Sequence, residues 1–197
     1  MEDKKRCPWC LGYEPMVEYH DKEWGTPLHS DRKHFEFISL EVMQCGLNWL
    51  MMMKKREIFK ECFDDFDYEK IALYGEEKIE EILNTPGMIR SRRKVEAIIN
   101  NANRFLEVIE EVGSFDDYIW GFSGHRSVIY RSGNYVTSKL SDDVSRDLKK
   151  RGFKYLGSVT VYAHLEACGI VNDHSEACFR YAELAKDCVV MDSYPAE

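Results

Sequence analysis

Apolar residues recur every three to four positions along most of the chain, the spacing of a single helical face. Phe35, Ile38, Val42 and Cys45 fit a helix capped by Ser30 or Asp31 and ending near Gly46. A second helix is expected from about Leu47, past Lys54, Lys55 and Arg56, to Phe63. A third runs from Glu76 to Leu83, where Asn84-Thr-Pro86-Gly87 stops it. The strongest pattern begins near Ser91: Val95, Ile98, Ile99, Ala102, Phe105, Leu106 and Ile109 form one apolar stripe, closed by Gly113. Ser141 opens a short helix ending in Lys149-Lys150-Arg151. Gly152 to Gly157 then reads as a turn, and a further helix spans Ser158 to Cys168. Ser127 to Tyr135 alternates weakly around Ser132-Gly133-Asn134, as a short hairpin would. Periodicity fades after Cys178, so residues 181–197 are expected to be a poorly ordered tail behind a single domain over residues 1–180. The predicted fold class is all-α.

Composition adds exclusions. The 197 residues, 44% hydrophobic and 31% charged, suit one globular domain rather than a disordered or fibrous chain. No apolar run approaches the roughly 18 residues that would cross a bilayer, so no membrane partner is expected. Met1-Glu-Asp-Lys-Lys-Arg6 has no apolar stretch behind it, which argues against a secretory signal and for a cytoplasmic, intracellular protein. The net charge of −8 excludes a uniformly basic coat but not a local basic footprint. Seven cysteines without an export signal favour thiols or metal ligands over a disulfide framework.

Two half-sites lie at opposite ends of the chain. Cys7 and His20 are near the start, and His174 and Cys178 near the end. A His and a Cys four apart on a helix share a face, and two thiolates with two imidazoles make a closed tetrahedral zinc set. Such a site would pin both termini together. The spacing alone leaves open that these are unrelated core residues. Cys7-Pro8-Trp9-Cys10 also has the form of a redox dithiol, but the strand–helix–strand context such a motif needs is absent from the pattern.

Glu41 shares its helical face with Phe37, Gln44 and Cys45, an apolar setting for a carboxylate. It either reaches water or an arginine at the helix edge, or anchors the floor of a ligand pocket. Trp9, Tyr19, Trp24 and Trp49 could wall such a pocket, a slot suited to a flat and partly polar ring such as a nucleobase. Two basic clusters fit that idea: Arg90, Arg92, Arg93 and Lys94, and then Lys149, Lys150 and Arg151 before the glycine-bearing turn. A turn of that kind can present backbone N–H groups to a phosphate. Each cluster could equally be a solvated face.

Several motifs, in order, resemble the DNA-3-methyladenine glycosylase I family. They are Arg6-Cys-Pro-Trp9, Tyr19-His-Asp-Lys-Glu-Trp-Gly25 and Leu40-Glu-Val-Met-Gln-Cys-Gly-Leu-Asn-Trp49. Gly87-Met-Ile-Arg-Ser-Arg-Arg-Lys94, Leu148-Lys-Lys-Arg-Gly-Phe-Lys-Tyr-Leu-Gly157 and Val171-Asn-Asp-His174 complete the set. The resemblance runs from about Lys5 to Phe179. It implies a helix-hairpin-helix fold that flips 3-methyladenine out of alkylated double-stranded DNA and hydrolyses its N-glycosyl bond. The implied zinc ligands are Cys7, His20, His174 and Cys178, with Cys10 a bystander. Glu41 would be the base-reading, catalytic carboxylate, with Trp9, Tyr19, Trp49 and Met16 contacting the base. The hairpin, about residues 148–160, would grip DNA through Lys149, Lys150, Arg151, Gly152, Lys154 and Gly157. A monomer is implied, without a nucleotide cofactor and without the lyase lysine of bifunctional relatives.

The chain departs from the family pattern in places. Met16 stands where a tyrosine is frequent, Asn48 where a small residue is common, and Met43 and Cys45 where glutamine and alanine are more usual. Asn172 stands where many helix-hairpin-helix glycosylases carry an aspartate. These departures keep a second expectation in view: a zinc-stapled DNA-binding or alkylated-base-sensing protein with little turnover.

Overall fold

The structure, a computed structural model, describes residues 4–131 and 135–194. After a 3₁₀ turn at Pro8–Cys10 come α1 (Glu14–Lys22), α2 (Asp31–Gln44), α3 (Trp49–Cys62), α4 (Tyr68–Ile71) and α5 (Glu76–Asn84). Then follow α6 (Arg92–Val112), α7 (Phe115–Gly121), β1 (Val128–Tyr130), α8 (Lys139–Lys150), α9 (Ser158–Ala167), α10 (Phe179–Leu184) and β2 (Val189–Met191).

The chain is mostly helical, as its periodicity predicts, and α2 is the central rod. Every residue of α2 from His34 to Met43 is buried, so neighbours cover it on all sides. Phe35 meets Phe105 of α6 edge-on at 5.2 Å, and Phe105 stacks on Phe115 of α7 at 4.1 Å. Ser30 caps α2, as expected, and Asn48 caps α3 by accepting the Met51 N–H at 2.9 Å. The departure at Asn48 therefore has a structural use. The helix expected to open at Ser141 starts at Lys139 instead. Ser138 is its cap, and Ser141 closes a capping box from the third position.

Two expectations are corrected at the C-terminal side. Val128 to Tyr130 is a strand, but its partner is β2, aligned parallel with Val128 opposite Val189. The turn Ser132-Gly133-Asn134 lies outside the described residues. Residues 181–194, expected to be a poorly ordered tail, form the end of α10, a 3₁₀ turn and β2, while 195–197 lie outside the described residues. Backbone pairing holds them there: Val189 N–H donates to Ser127 O at 2.7 Å and Lys139 N–H to Ser193 O at 2.7 Å. At the N-terminal side, Phe179 N–H donates to Lys5 O at 2.9 Å, which brings the two ends of the chain together.

Candidate active site

The four predicted metal ligands converge. Cys7 follows the N-terminal extended segment, His20 sits in the last turn of α1, and Cys178 is the N-cap of α10. His174 and Cys178 are not on one helix, as their spacing had suggested: residues 172–178 form an extended segment and a turn. The turn still brings the two side chains together, with Cys178 Sγ 3.6 Å from His174 Nδ1. Cys7 Sγ lies 3.7 Å from the same nitrogen, and Cys178 Sγ lies 3.4 Å from His20 Nε2. Sulfur and nitrogen ligands on one tetrahedral zinc stand about 3.6 Å apart, so this set fits the ion.

The remaining ring nitrogens are occupied. His20 Nδ1 meets Asp21 Oδ1 at 2.7 Å, with Arg6 behind the carboxylate at 2.8 Å, and His174 Nε2 meets Trp24 O at 3.1 Å. That leaves Nε2 of His20 and Nδ1 of His174 for a metal. Burial pushes His174 down to about 4, so its imidazole is neutral, the form that ligates. Gly25, in the left-handed region at φ +73°, lets the backbone pass here; a Cβ would stand 2.9 Å from His174 Nε2. Cys10 turns away and donates its thiol to Cys7 O at 3.1 Å. All four predicted ligands are buried, as is Cys10, so Cys7 and Cys10 do not form an exposed dithiol.

Beside this cluster opens a cleft of about 1120 Å³, lined by Trp9, Met16, Tyr19, Glu41, Trp49 and Asn172 among others. The sequence-predicted pocket residues are thus brought together. Tyr19 and Trp49 stand 5.4 Å apart at 46°, and Trp9 meets Trp24 edge-on at 4.9 Å. Trp9 is 40% exposed and forms the outer wall, whereas Tyr19 and Met16 are buried inside. Glu41 is buried at the cleft, and among the described residues no hydrogen bond or ion pair reaches its carboxyl. Desolvation alone pushes it up to about 8. A carboxyl group held that way is poised to ionise when a positive partner arrives.

A family model described as methyladenine glycosylase matches residues 9–181. The chain is 39% identical over 182 residues to DNA-3-methyladenine glycosylase 1 of Escherichia coli (strain K12), covering 90% of this chain and 97% of that one.

The chain belongs to the methyladenine glycosylase family.

The DNA-3-methyladenine glycosylase of Haemophilus influenzae (strain ATCC 51907 / DSM 11121 / KW20 / Rd) is 38% identical over 177 residues, covering 88% of this chain and 96% of that one. A crystal structure of a variant 3-methyladenine DNA glycosylase I in complex with 3-methyladenine superposes with a TM-score of 0.84. It is 32% identical and covers 88% of this chain and 96% of that chain.

Within this glycosylase scaffold, two further acids face the cleft that sequence reasoning missed. Glu166 of α9 and Asp173 both line it and face each other. Burial raises Glu166 well above the ordinary carboxylate range, and Asp173 adds to the effect. The signal was present: Glu166 interrupts an apolar stretch, the same feature that marked Glu41. Asn172 keeps its Oδ1 on the His174 N–H at 3.3 Å, while its buried Nδ2 has no partner among the described residues.

The turn between α8 and α9 is clamped from α6. Asn101 Oδ1 accepts the Lys154 N–H at 2.7 Å and its Nδ2 donates to Lys154 O at 3.0 Å, while Asn100 donates to Gly152 O at 2.9 Å. Gly152 turns the chain at φ +91°, and Phe153 and Leu156 are buried beneath. Lys149, Lys150, Lys154 and Gly157 remain exposed. Arg151 does not project with them: it bonds Asp147 at 2.7 Å and Glu111 at 2.6 Å, and lies over the Tyr118 ring.

The first basic cluster splits. Lys94 Nζ caps the end of α2 through Met43 O and Cys45 O at 2.7 and 2.6 Å, and Arg92 is held by Glu76 and Glu80. Arg93, however, shares a surface groove with Lys154 and Tyr155, so one member of each cluster meets at the turn.

Proposed function

We infer that this chain is a DNA-3-methyladenine glycosylase of base-excision repair, which turns the methylated base out of alkylated DNA and hydrolyses its N-glycosyl bond. The observation that carries this reading is Glu41: a buried carboxyl with no partner, at the floor of an aromatic cleft. Adenine methylated at N3 while still joined to the sugar carries a fixed positive charge, and it supplies the counter-ion that Glu41 lacks. An unmodified base brings no charge, so ionising Glu41 against it would cost several kcal/mol. Selection against unmodified bases follows from that difference. Tyr19, Trp9 and Trp49 hold the ring, and Met16 fills the wall.

The positive charge also makes the base a good leaving group. When the C1′–N9 bond breaks, its electron pair passes to the ring and the base departs neutral. The oxygen of a water bonds C1′ and sheds a proton. Glu41, again without a cation beside it in a dry site, is the basic group at hand to take that proton up. Asn172 cannot play the aspartate's part, since an amide neither accepts a proton at neutral pH nor balances a cation. Among the described residues the cleft lining holds no lysine; the proposed reaction leaves an intact abasic strand.

Double-stranded DNA is gripped at the helix-hairpin-helix turn. The N–H groups of Tyr155, Leu156 and Gly157 take a phosphate, those of Gly152, Phe153 and Lys154 being engaged within the turn, and Lys149, Lys150, Lys154 and Arg93 add charge; Arg151 supports the turn from behind. Cys7, His20, His174 and Cys178 hold one structural zinc, which fixes the cleft wall and both chain ends. The protein acts as a monomer without a nucleotide cofactor. Among the described residues no helix is long and apolar enough to cross a membrane.

Single-turnover incubation with methylated duplex DNA tests the reading. The expected products are free 3-methyladenine and an uncut abasic strand, without 7-methylguanine. No base release from folded, zinc-loaded protein would leave a binding or sensing protein instead. For the metal, Cys178→Ser should lose the ion and lower Tm markedly, whereas an unchanged Tm would remove the zinc reading.

A further inference from the structure

A second buried His/Cys cluster lies away from the cleft. His34 of α2, His164 of α9 and Cys168 at the C-cap of α9 each offer a ligand atom within 4.8 Å of the others. His164 and Cys168 are four apart on a real helical turn, with Cys168 N–H donating to His164 O at 3.0 Å, so their side chains share a face. The sequence repeats itself here. His164-Leu-Glu-Ala-Cys168 and His174-Ser-Glu-Ala-Cys178 carry the same His-x-Glu-Ala-Cys pattern ten residues apart. The second copy serves the metal cluster at the chain ends; the first has no role in the reaction above.

The hydrogen bonding around the first copy is incomplete in a specific way. Neither ring nitrogen of His164 has a partner among the described residues, nor has Nδ1 of His34. A buried imidazole left this way has lost its water without gaining the bond that would offset the loss. The other nitrogen of His34, Nε2, meets Asp116 Oδ1 at 3.0 Å. That carboxylate fixes the proton on Nε2 and leaves Nδ1 with a bare lone pair, the orientation seen behind metal-bound histidines. Zinc would bring two positive charges, and a Cys168 thiolate with the Asp116 carboxylate would balance them. Ligands on one zinc stand about 3–4 Å apart, and atoms already within 4.8 Å of one another come to that spacing by side-chain rotation.

We propose that His34, His164 and Cys168 form a second zinc site, with Asp116 orienting His34 and a water completing the coordination. The ion would staple α2, which carries Glu41, to α9, the second helix of the hairpin. Burial pushes the Cys168 thiol up to about 12, so loading must release its proton. The proposal does not rest on the glycosylase reading or on the zinc at the chain ends.

Elemental analysis of the full chain, purified with zinc and freed of loose metal, tests it. Two zinc ions per chain are expected. Cys168→Ser and His34→Gln should each leave one, with the helical circular dichroism retained. One ion that Cys168→Ser keeps and Cys178→Ser removes would overturn the proposal, as would none; a water would then fill the cluster. An ion lost in Cys168→Ser but kept in Cys178→Ser would support this site against the other. Zinc-edge X-ray absorption on the unaltered protein gives the same answer without a variant: about 1.5 sulfurs per zinc for both sites together, against about 2 for the chain-end cluster alone. A value of 2 would overturn the proposal.

Discussion

Glu36 and Glu41 sit five residues apart on α2, each with 4% of its surface exposed, yet their surroundings drive them in opposite directions. Glu36 faces Arg56 at 2.7 Å and Lys33 at 2.6 Å, and Arg56 is also held by both carboxylate oxygens of Glu23. Burial would raise Glu36, but Arg56 and Lys33 outweigh it and hold the carboxyl below its ordinary value. Glu41 faces aromatic rings and has only desolvation acting on it. The first carboxylate is already matched by the fold. The second is matched only when a ligand brings the charge. A buried acid is therefore informative about function through the absence of its partner, not through its burial.

Four predictions break or sharpen that contrast. Glu41→Gln should slow excision of 3-methyladenine by on the order of 10²–10³-fold, about 3–4 kcal/mol in the barrier, with Tm unchanged or higher; single-turnover rates and calorimetry check both. Glu36→Ala should do the reverse. Denaturant unfolding should show a loss of roughly 2 kcal/mol, because Arg56 keeps Glu23 but loses its second carboxylate and Lys33 loses its partner, with the excision rate of the folded fraction within about twofold. Gln44→Lys places an ammonium one helical turn from Glu41 and erases the contrast from the other side. Excision should fall by about tenfold as the internal cation competes with the base, read as a higher KM for the methylated site.

The smallest effect is the pH dependence. Glu41 is raised above its unfolded value, so its contribution to stability is complete below the ordinary carboxylate pKa and is lost as pH rises through about 8. Glu36 is lowered, so its contribution is present above the ordinary value and is lost on acidification through its own lower one. Stability should therefore fall on both flanks. kcat/KM for the cationic lesion should rise with pH toward about 8, and Glu41→Gln should flatten that rise.

The helical framework was readable where amphipathic stripes run long, as in α5 and α6, and where an apolar run ends at a glycine, as in α2 and α9. α1 was not, although it carries Met16, Tyr19 and His20: its N-cap, Tyr13, supplies no capping side chain, and the helix is only nine residues long. The parallel pairing of β1 with β2 was also hidden, because Val128, Ile129 and Tyr130 are all buried and show no alternation. The cleft residues were legible from the motifs, and the chain-end cluster from its Cys and His positions, though a turn and not a helix joins His174 to Cys178. Arg92, Lys94 and Arg151 misled for a single reason. Charge runs do not reveal which cations the fold has already engaged, and these three are held by Glu76, by the end of α2, and by Asp147 and Glu111.

The most direct test of the central claim follows the Glu41 carboxyl itself. In protein with ¹³C-labelled glutamate side chains, assigned through Glu41→Gln and Glu36→Gln, NMR titration reads both groups in one sample. The account expects Glu41 to titrate near 8 in the free protein and Glu36 to stay ionised to well below the ordinary range. With a duplex carrying a cationic N3-methylated base held uncleaved at the site, the Glu41 resonance should remain that of a carboxylate at neutral pH. Titration of Glu41 at the ordinary carboxylate value, with no change when the cationic base binds, would contradict it.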